Sequence, residues 1–297
     1  MLADNKKRKT IDSPSFLAFD IGADSGRAIL GWLEERRLKI KELSRFANGM
    51  VFILGHWHWN IYRIFEEVKK GMKLCASETG PKPQSIAFDT WGVDFALLGR
   101  DGSFLGLPYA YRDSRTEGAM EEFFKKVPRY RLYELTGIQF LQFNSLFQLF
   151  SMKRDNSPLL EMASDLLFMP DTFNYLFTRE KKTEFTYATT SQLYNPRKKD
   201  WDEELFAALG ISKSLMQKIF PPGTVIGSLE RSISKETGIG EIPVIAVASH
   251  DTGSAVGAVP AEGEDWAYIS SGTWSLMGVE TREPVINEQA LELNFTN

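Results

Sequence analysis

The sequence predicts an α/β protein built on a mixed sheet, and its first third carries the pattern. Residues 16–20, 27–32 and 38–46 are apolar or alternating stretches joined by short polar turns, which is typical of an antiparallel meander. Residues 59–74 then repeat apolar side chains at helical spacing, and residues 85–88 are a short apolar run typical of a buried strand. Strands followed by a crossover helix and another strand indicate a mixed sheet with helices packed on it.

Later stretches continue the alternation of helices and strands. Apolar spacing predicts further helices at 119–126, 145–154, 170–177 and 203–209. Residues 242–248 form a near-continuous apolar run and predict a buried strand. The small apolar residues at 251–259 predict a helix that packs closely against its neighbours.

Composition and charge exclude several classes of protein. The chain has 297 residues and a net charge of −4, which favours neither nucleic acid nor an anionic membrane as a partner. No apolar run approaches the roughly 20 residues of a membrane-spanning helix. Residues 1–14 lack the apolar stretch of a secretion signal, so we expect a flexible tail, with a basic targeting or RNA-binding arm as the alternative. Cys75 is the only cysteine, which fits a reducing cytoplasm.

The length suits two domains, or one large domain and part of another. Residues 260–265 combine proline, glycine and acids and predict a linker. We therefore expect a first domain over 15–260 and the start of a second over 261–297. A second hairpin is predicted at 266–270 and 275–280; it shares little sequence with the first, so an internal duplication is a weak hypothesis.

The turn between the first two predicted strands, residues 20–27, carries acids, glycines and a serine. An acid at the end of a strand can hold a magnesium ion, directly or through water. Glycines let main-chain N–H groups approach an anion, and Ser25 adds a hydroxyl donor. Because such turns are common in hairpins, a plain turn is the alternative.

An acid also opens the last predicted helix, within the run Ser-His-Asp-Thr-Gly at 249–253. An acid in that place is usually a cap, which stabilises a helix by about 1 kcal/mol. The alternative is a general base, since a carboxylate can accept the proton of a sugar hydroxyl as that oxygen attacks a phosphoryl group. His250 either hydrogen-bonds the sugar or fills space.

Three other runs have two interpretations each. The hydroxyl-rich run at 270–274 either contacts phosphate or forms a plain turn. A tryptophan and two acids follow a strand at 88–95, where they either bind sugar or make ordinary core and cap contacts. His56 and His58 suggest a metal site, but alternating ring residues on a strand are the simpler interpretation because the chain has only three histidines. No P-loop or protein-kinase motif occurs.

Taken in order, six segments resemble the FGGY carbohydrate kinases, of the actin, hexokinase and Hsp70 superfamily. These segments are DTWGVDFALL at 89–98, GLPYAYRDSRT at 106–116, GIQFLQFNSLFQL at 137–149, LLFMPDTFNYLFT at 166–178, VIAVASHDTGSAV at 244–256 and YISSGTWSLMG at 268–278. The resemblance implies the actin-like, ribonuclease H-like ATPase fold, with the N-terminal domain and only the start of the second domain present.

The resemblance also implies a role for each matching residue. Asp20 matches the acid that serves a magnesium ion, and Asp251 matches the catalytic base. The residues that match a sugar-binding set are Trp91, Gly92, His250, Asp251 and Thr252. The residues that match contacts to the ATP phosphates are Ala23, Asp24, Ser25, Gly26, Arg27 and Thr273.

The activity implied is phosphorylation of a small-molecule sugar by ATP with Mg²⁺. The segments are most similar to members that convert L-rhamnulose to L-rhamnulose 1-phosphate in L-rhamnose catabolism. Another ketose or polyol kinase of the family, or a non-catalytic sugar-binding protein on the same fold, is the alternative. Asp24 departs from the Ser or Thr of many relatives, and family members are longer. We therefore expect this chain by itself to lack most of the second domain and to be inactive or nearly so.

Overall fold

The computed structural model describes residues 14–78, 80–263, 265–272 and 274–297. All of the predicted tail at 1–14 except Pro14 lies outside the described residues, and so does Thr273. Within the described ranges, none of the helices combines the length and apolar character needed to cross a lipid bilayer.

Strands and helices alternate along most of the chain. The strands are β1 (Ser15–Ile21), β2 (Ser25–Glu34), β3 (Arg37–Ala47), β4 (Met50–Ile53), β5 (His56–Trp59), β6 (Ser85–Thr90), β7 (Phe95–Leu98), β8 (Asp165–Phe168), β9 (Thr183–Glu184), β10 (Tyr194–Asn195), β11 (Asp200–Trp201), β12 (Ile219–Phe220), β13 (Val225–Ser228), β14 (Pro243–Ile245), β15 (Ala267–Ser271) and β16 (Ser275–Val279). The α-helices are α1 (Ile61–Ser77), α2 (Ala119–Phe124), α3 (Arg129–Thr136), α4 (Ser145–Arg154), α5 (Pro158–Met162), α6 (Met169–Thr178), α7 (Phe185–Thr190), α8 (Glu203–Leu209), α9 (Arg231–Thr237), α10 (Asp251–Gly257) and α11 (Glu288–Glu292).

A mixed sheet forms the centre of the molecule. Among the described residues it has six strands, in the order β13-β14-β6-β1-β2-β3. β1, β2 and β3 form the predicted antiparallel meander, while β6 runs parallel to both β1 and β14. The predicted mixed sheet is confirmed. Because the carboxyl ends of parallel strands meet at one edge, residues that follow β1, β6 and β14 are neighbours there.

The two faces of the sheet differ. Alternate side chains of β1 are buried, namely Leu17, Phe19 and Ile21. The same face of β6 stacks on α6, where the Phe88 and Phe177 ring centroids are 5.1 Å apart. Phe16 points to the opposite face and is 47% exposed. Since side chains alternate along a strand, Asp20 shares the face of Phe16 rather than the buried face.

α1 is amphipathic, as its sequence predicts. Its buried residues include Ile61, Ile64, Val68 and Met72. Asn60 caps the helix by accepting the Arg63 N–H at 3.1 Å. At Gly71 the helix approaches the sheet so closely that a Cβ would lie 2.8 Å from atoms of Phe19 and Ala28. Burial raises the pKa of the Cys75 thiol to about 11, so this thiol is not activated.

A second core lies beside the sheet. Its buried side chains come mainly from β7, β8, α2, α3, α4, α7 and α8, and α11 adds Ala290 and Leu291. Aromatic rings dominate it, as in the pairs Phe123 with Phe150 at 5.3 Å and Phe168 with Tyr187 at 5.0 Å between centroids. Tyr187 and Ala188 anchor α7 in this core, and α7 in turn contacts the segment that follows β14.

The helices predicted at 119–126, 145–154, 170–177 and 203–209 are present as α2, α4, α6 and α8. The strand predicted at 242–248 is shorter and spans only β14. α10 begins at residue 251 as predicted, but none of its side chains is buried, so the expected close packing is wrong. The second half of the helix has open space around it: among the described residues, a Cβ at Gly257 would meet no atom within 4 Å, whereas one at Gly253 would lie 3.4 Å from Thr186.

Candidate active site

The carboxyl ends of three parallel strands bring predicted site residues together. Asp20 of β1 and Asp89 of β6 are direct partners in neighbouring strands. One residue further on, Thr90 pairs with His250, which follows β14. The Thr90 N–H also donates to the Ser249 carbonyl at 2.9 Å. Because adjacent strands lie about 4.8 Å apart, the first hairpin and the segment after β14 border one edge of the sheet.

Asp89 lies at this edge, in the run at 88–95 that the sequence assigned either to sugar binding or to core and cap contacts. Its Oδ1 is buried and has no hydrogen-bond partner among the described residues. Burial raises the pKa of Asp89 well above its usual range, the charges of Asp20 and Asp251 raise it further, and a hydrogen bond with Ser254 opposes the change. Asp20 is the strand partner of Asp89, and Asp251 follows the strand partner of Thr90, so the three acids border the same edge of the sheet.

The turn between β1 and β2 is held by a residue that sequence reasoning missed. The Gly22 N–H donates to the Ser25 carbonyl at 2.9 Å. The Asn48 side chain donates to the Gly22 carbonyl at 2.8 Å, and the Asn48 N–H donates to the Asp24 carbonyl at 2.9 Å. Asn48 therefore fixes the shape of the predicted phosphate-binding loop from the end of β3.

Arg27 and Asp20 form an ion pair across the first hairpin, where they are partners in the strand register. Their side chains are 39% and 28% exposed, so both can reach a ligand. Gly26 serves the packing of the hairpin, because a Cβ there would run into the ring of Phe46. The hairpin thus offers a guanidinium and a carboxylate at the sheet edge.

The predicted triplet His250, Asp251 and Thr252 forms one connected group. Asp251 opens α10, and its side chain is 39% exposed. Its Oδ1 accepts the Thr252 N–H at 2.6 Å and the Thr252 hydroxyl at 3.3 Å. Nε2 of His250 lies 3.3 Å from the same oxygen. An accessible carboxylate with fixed orientation is what a general base requires.

The imidazole of His250 adjoins the loop that carries Trp91 and Gly92. Burial lowers the pKa of His250, although the acids Asp251 and Glu184 oppose the change. At neutral pH the ring is therefore uncharged, with one nitrogen as donor and the other as acceptor. A Cβ at Gly92 would lie 3.2 Å from Nε2. The structure thus brings together Gly92 and His250, which were predicted to contact one sugar.

Asp94 organises this loop. Its fully buried carboxylate accepts four hydrogen bonds, from Trp59 Nε1 at 2.6 Å, Trp91 Nε1 at 2.9 Å, Tyr111 N at 3.1 Å and Gln148 Nε2 at 2.9 Å. Trp91 is only 4% exposed, and its ring packs on Trp59 with centroids 4.1 Å apart. The sugar contact of Trp91 stays a prediction, and its indole is fixed in the core by Asp94.

The same loop contains a strained residue. Val93 has a φ of 69°, in the left-handed region that β-branched residues rarely adopt. Its carbonyl accepts the Ser145 hydroxyl at 2.5 Å. Val93 is held by α4 through this hydrogen bond, and its neighbour Asp94 is fixed by the bonds of its carboxylate. The surrounding structure therefore enforces a sharp turn directly after Gly92.

Asp94 gives the protein a measurable pH dependence. Burial raises its pKa from 3.8 to about 6, against hydrogen bonds from Gln148, Trp59 and Trp91. Between pH 3.8 and about 6 the carboxyl group of Asp94 is protonated in the folded state and ionised in the unfolded state. The free energy of unfolding therefore falls as pH rises from 3.8 to about 6. Because one pKa unit corresponds to about 1.4 kcal/mol, the loss is about 3 kcal/mol.

This loss can be isolated by comparing the protein with its Asp94→Asn variant in urea unfolding at several pH values from about 4 to about 7. We expect the free energy of unfolding of the wild type to fall by about 3 kcal/mol more than that of the variant. Parallel pH profiles for the two proteins would contradict this assignment.

The second hairpin is present as β15 and β16. Near its turn the hydroxyls of Ser271 and Ser275 lie 3.0 Å apart. The Trp274 ring lies 5.9 Å from that of Phe143, which brings the turn close to the loop before α4. Thr273, the predicted second phosphate contact, lies outside the described residues, so its placement stays a prediction.

The paired histidines lie on β5, as their alternation predicts. His56 Nδ1 is 3.0 Å from an Asp113 carboxylate oxygen, and His58 Nδ1 is 3.2 Å from the Leu107 carbonyl. In the part of the chain that the structure describes, no three His, Cys, Asp or Glu side chains converge closely enough to hold a metal ion.

A magnesium ion shared with a substrate nevertheless fits the sheet edge. Mg²⁺ is commonly held by one or two carboxylates, waters and substrate phosphates rather than by a protein cage. The accessible carboxylate of Asp20 and the unpartnered buried oxygen of Asp89 are such donors. The negative charge of several carboxylates at this edge also favours the binding of a cation.

Comparison with solved structures shows the fold. A carbohydrate kinase from Novosphingobium aromaticivorans superposes with a TM-score of 0.77 at 21% identity, over 92% of this chain and 57% of that one. The predicted actin-like ATPase fold of sugar kinases is thereby confirmed.

Sequence comparison gives the family. The profile of the N-terminal domain of the FGGY family of carbohydrate kinases matches residues 15–257. The chain belongs to this family, as predicted. It is 49% identical to a rhamnulokinase of Bacteroides thetaiotaomicron and 46% identical to one of Oceanobacillus iheyensis, over 95% of this chain in each case. The chain spans 58% and 59% of the length of those two relatives.

Proposed function

We propose that this protein transfers the γ-phosphoryl group of ATP to the C1 hydroxyl of L-rhamnulose, giving L-rhamnulose 1-phosphate and ADP. The observation that carries the proposal is the placement of Asp251. Its accessible carboxylate contacts His250, whose backbone pairs with Thr90 beside the strand partners Asp20 and Asp89 at one edge of the sheet. The similarity of the chain to rhamnulokinases supports L-rhamnulose as the sugar.

In the proposed reaction, Asp251 accepts the proton of the C1 hydroxyl as that oxygen attacks the γ-phosphorus. The bond from the γ-phosphorus to the bridging oxygen breaks, and its electron pair leaves with ADP. His250, Gly92 and Thr252 border the sugar and orient its hydroxyl toward the base. Trp91 would contribute through the fixed backbone of its loop.

The hairpin between β1 and β2 would hold the triphosphate. Arg27 and the main-chain N–H groups of residues 23–26 supply positive charge and donors toward its oxygens. Asp20 and Asp89 are the residues that would hold Mg²⁺, which when bound neutralises charge on the phosphates. Thr273 is proposed as a second phosphate contact, and a cytoplasmic location would suit substrates of this kind.

The proposal is tested by release of ADP from Mg-ATP in the intact protein, with L-rhamnulose, D-xylulose and glycerol as acceptors and a reaction without sugar as the control. The highest kcat/KM is expected with L-rhamnulose. A preference for D-xylulose or glycerol would overturn the choice of sugar. No release of ADP with any of the three acceptors would overturn the phosphoryl transfer itself.

Gly92→Ala is expected to weaken sugar binding. The added methyl group would lie 3.2 Å from Nε2 of His250, so the imidazole must move away from its present position. Hydrogen bonds are sensitive to such shifts, and we expect the dissociation constant of the sugar to rise by about tenfold, which corresponds to about 1.4 kcal/mol.

Calorimetry with L-rhamnulose measures this effect, and Gly80→Ala is the matched control. Within the described ranges a Cβ at Gly80 would meet no atom within 4 Å, so the control should bind like the wild type. Equal affinities for the Gly92 variant and the control would remove Gly92 and His250 from the sugar site.

A further inference from the structure

Glu184 is a buried carboxylate to which the proposed reaction gives no part. It ends β9 and caps α7, and its side chain is fully buried. It accepts five hydrogen bonds, from Thr186 N at 2.9 Å, Thr186 Oγ1 at 2.6 Å, Tyr187 N at 3.3 Å, Ser249 N at 3.0 Å and Ser249 Oγ at 2.7 Å. The two bonds from Ser249 cross 65 positions of sequence.

These bonds tie α7 to the segment that carries the proposed base. Ser249 is fully buried, and its carbonyl accepts the Thr90 N–H at 2.9 Å, so β6 holds the residue that Glu184 also holds. Thr186 adds a further link, since its hydroxyl accepts the His250 N–H at 3.4 Å. Two residues of chain span at most about 7 Å, so the position of Asp251 depends directly on where Ser249 is held.

We propose that Glu184 is a positioning residue for phosphoryl transfer, which holds the segment from Ser249 to Asp251 so that the Asp251 carboxylate faces the sugar hydroxyl. This proposal rests on the proposed function. Hydrogen bonds to an ionised carboxylate are about twice as strong as neutral ones, which suits a rigid support. Rate depends steeply on such support, because a misplacement of about 1 Å can cost about 10²-fold.

Glu184→Gln is the direct test, made on the intact protein. The amide keeps the size of the side chain but turns an NH₂ donor toward groups that are themselves donors, so at least one bond to Thr186 or Ser249 is lost. We expect kcat to fall by about 10- to 100-fold, with a smaller change in the dissociation constant of the sugar. Amide hydrogen exchange over residues 249–251 should become faster.

Asp202→Asn is the matched control. Asp202 is also fully buried and caps a helix, α8, by accepting the Glu204 N–H at 3.0 Å and the Leu205 N–H at 3.3 Å. We expect this variant to lose stability while keeping the wild-type kcat and the wild-type exchange at 249–251. A folded Glu184→Gln protein with wild-type kcat would overturn the proposal, and so would an equal loss of kcat in the control.

A second pair of variants serves if Glu184→Gln does not fold. Thr186→Val removes the hydroxyl that donates to Glu184, and Thr186→Ser keeps it. Lower kcat and faster exchange at 249–251 in the valine variant, restored by serine, support the proposal; equal behaviour of the two variants contradicts it. If the wild type transfers no phosphoryl group, the proposed function fails, whereas exchange at 249–251 still decides whether Glu184 holds the segment.

Discussion

Replacing Asp251 with Asn is expected to lower kcat by a factor on the order of 10² to 10⁴ while the sugar still binds. The amide has the shape of the carboxylate and can still accept the Thr252 N–H, which lies 2.6 Å from Oδ1 in the wild type. It cannot take the proton of the attacking hydroxyl, so the loss falls on the chemical step. Turnover of the intact protein and calorimetry with L-rhamnulose measure the two effects separately.

Asp200→Asn is the control for the loss of an accessible carboxylate. Asp200 is 56% exposed and pairs only loosely with Lys213, at 3.3 Å. It lies on β11, which is not part of the central sheet. We expect wild-type turnover in this variant. Near-normal turnover of Asp251→Asn, with the control also active, would remove Asp251 from the role of general base.

Asp94→Ala is expected to lower the free energy of unfolding by about 3 kcal/mol or more. The buried indole N–H groups of Trp59 and Trp91 and the Tyr111 N–H lose their acceptor, and no water replaces it readily in a site where Asp94 is fully buried. Removal of a buried charge offsets part of this cost. Release of Trp91 should also loosen the turn directly after Gly92 and weaken sugar binding.

Urea unfolding at pH 7 measures the change in stability, and Asp101→Ala is the control. Asp101 is exposed and accepts the N–H and hydroxyl of Ser103, at 3.0 and 2.6 Å. We expect its loss to cost less than about 1 kcal/mol. If the two variants are equally stable, Asp94 does not organise the loop.

The central sheet and its sites were predictable where local pattern decides the structure. The alternation of apolar and polar residues predicts the meander of β1, β2 and β3. An acid that directly follows an apolar run, or directly precedes a helical one, is predicted to lie at the end of a strand or the start of a helix. Asp20 and Asp251 could therefore be assigned to the right elements. That they lie near each other follows from strand order, which local pattern does not contain and which the resemblance to a family supplied.

The supports of the site could not be predicted because they act across long stretches of sequence. Asn48 reaches Gly22 over 26 positions, and Glu184 reaches Ser249 over 65. The spacing of residues does not distinguish a buried acid with four donors, such as Asp94, from a solvated one. α3 and α9 were missed for a simpler reason, since their short sequences mix charged and apolar residues without a clear helical face.

The most direct test is a crystal structure of the intact protein with L-rhamnulose and a non-hydrolysable ATP analogue. We predict that the C1 hydroxyl oxygen lies about 3 Å from an Asp251 carboxylate oxygen, within hydrogen-bond reach, and that the γ-phosphate lies between that hydroxyl and the β1–β2 hairpin. A sugar bound away from Asp251, or a triphosphate away from residues 22–27, would contradict the proposed reaction.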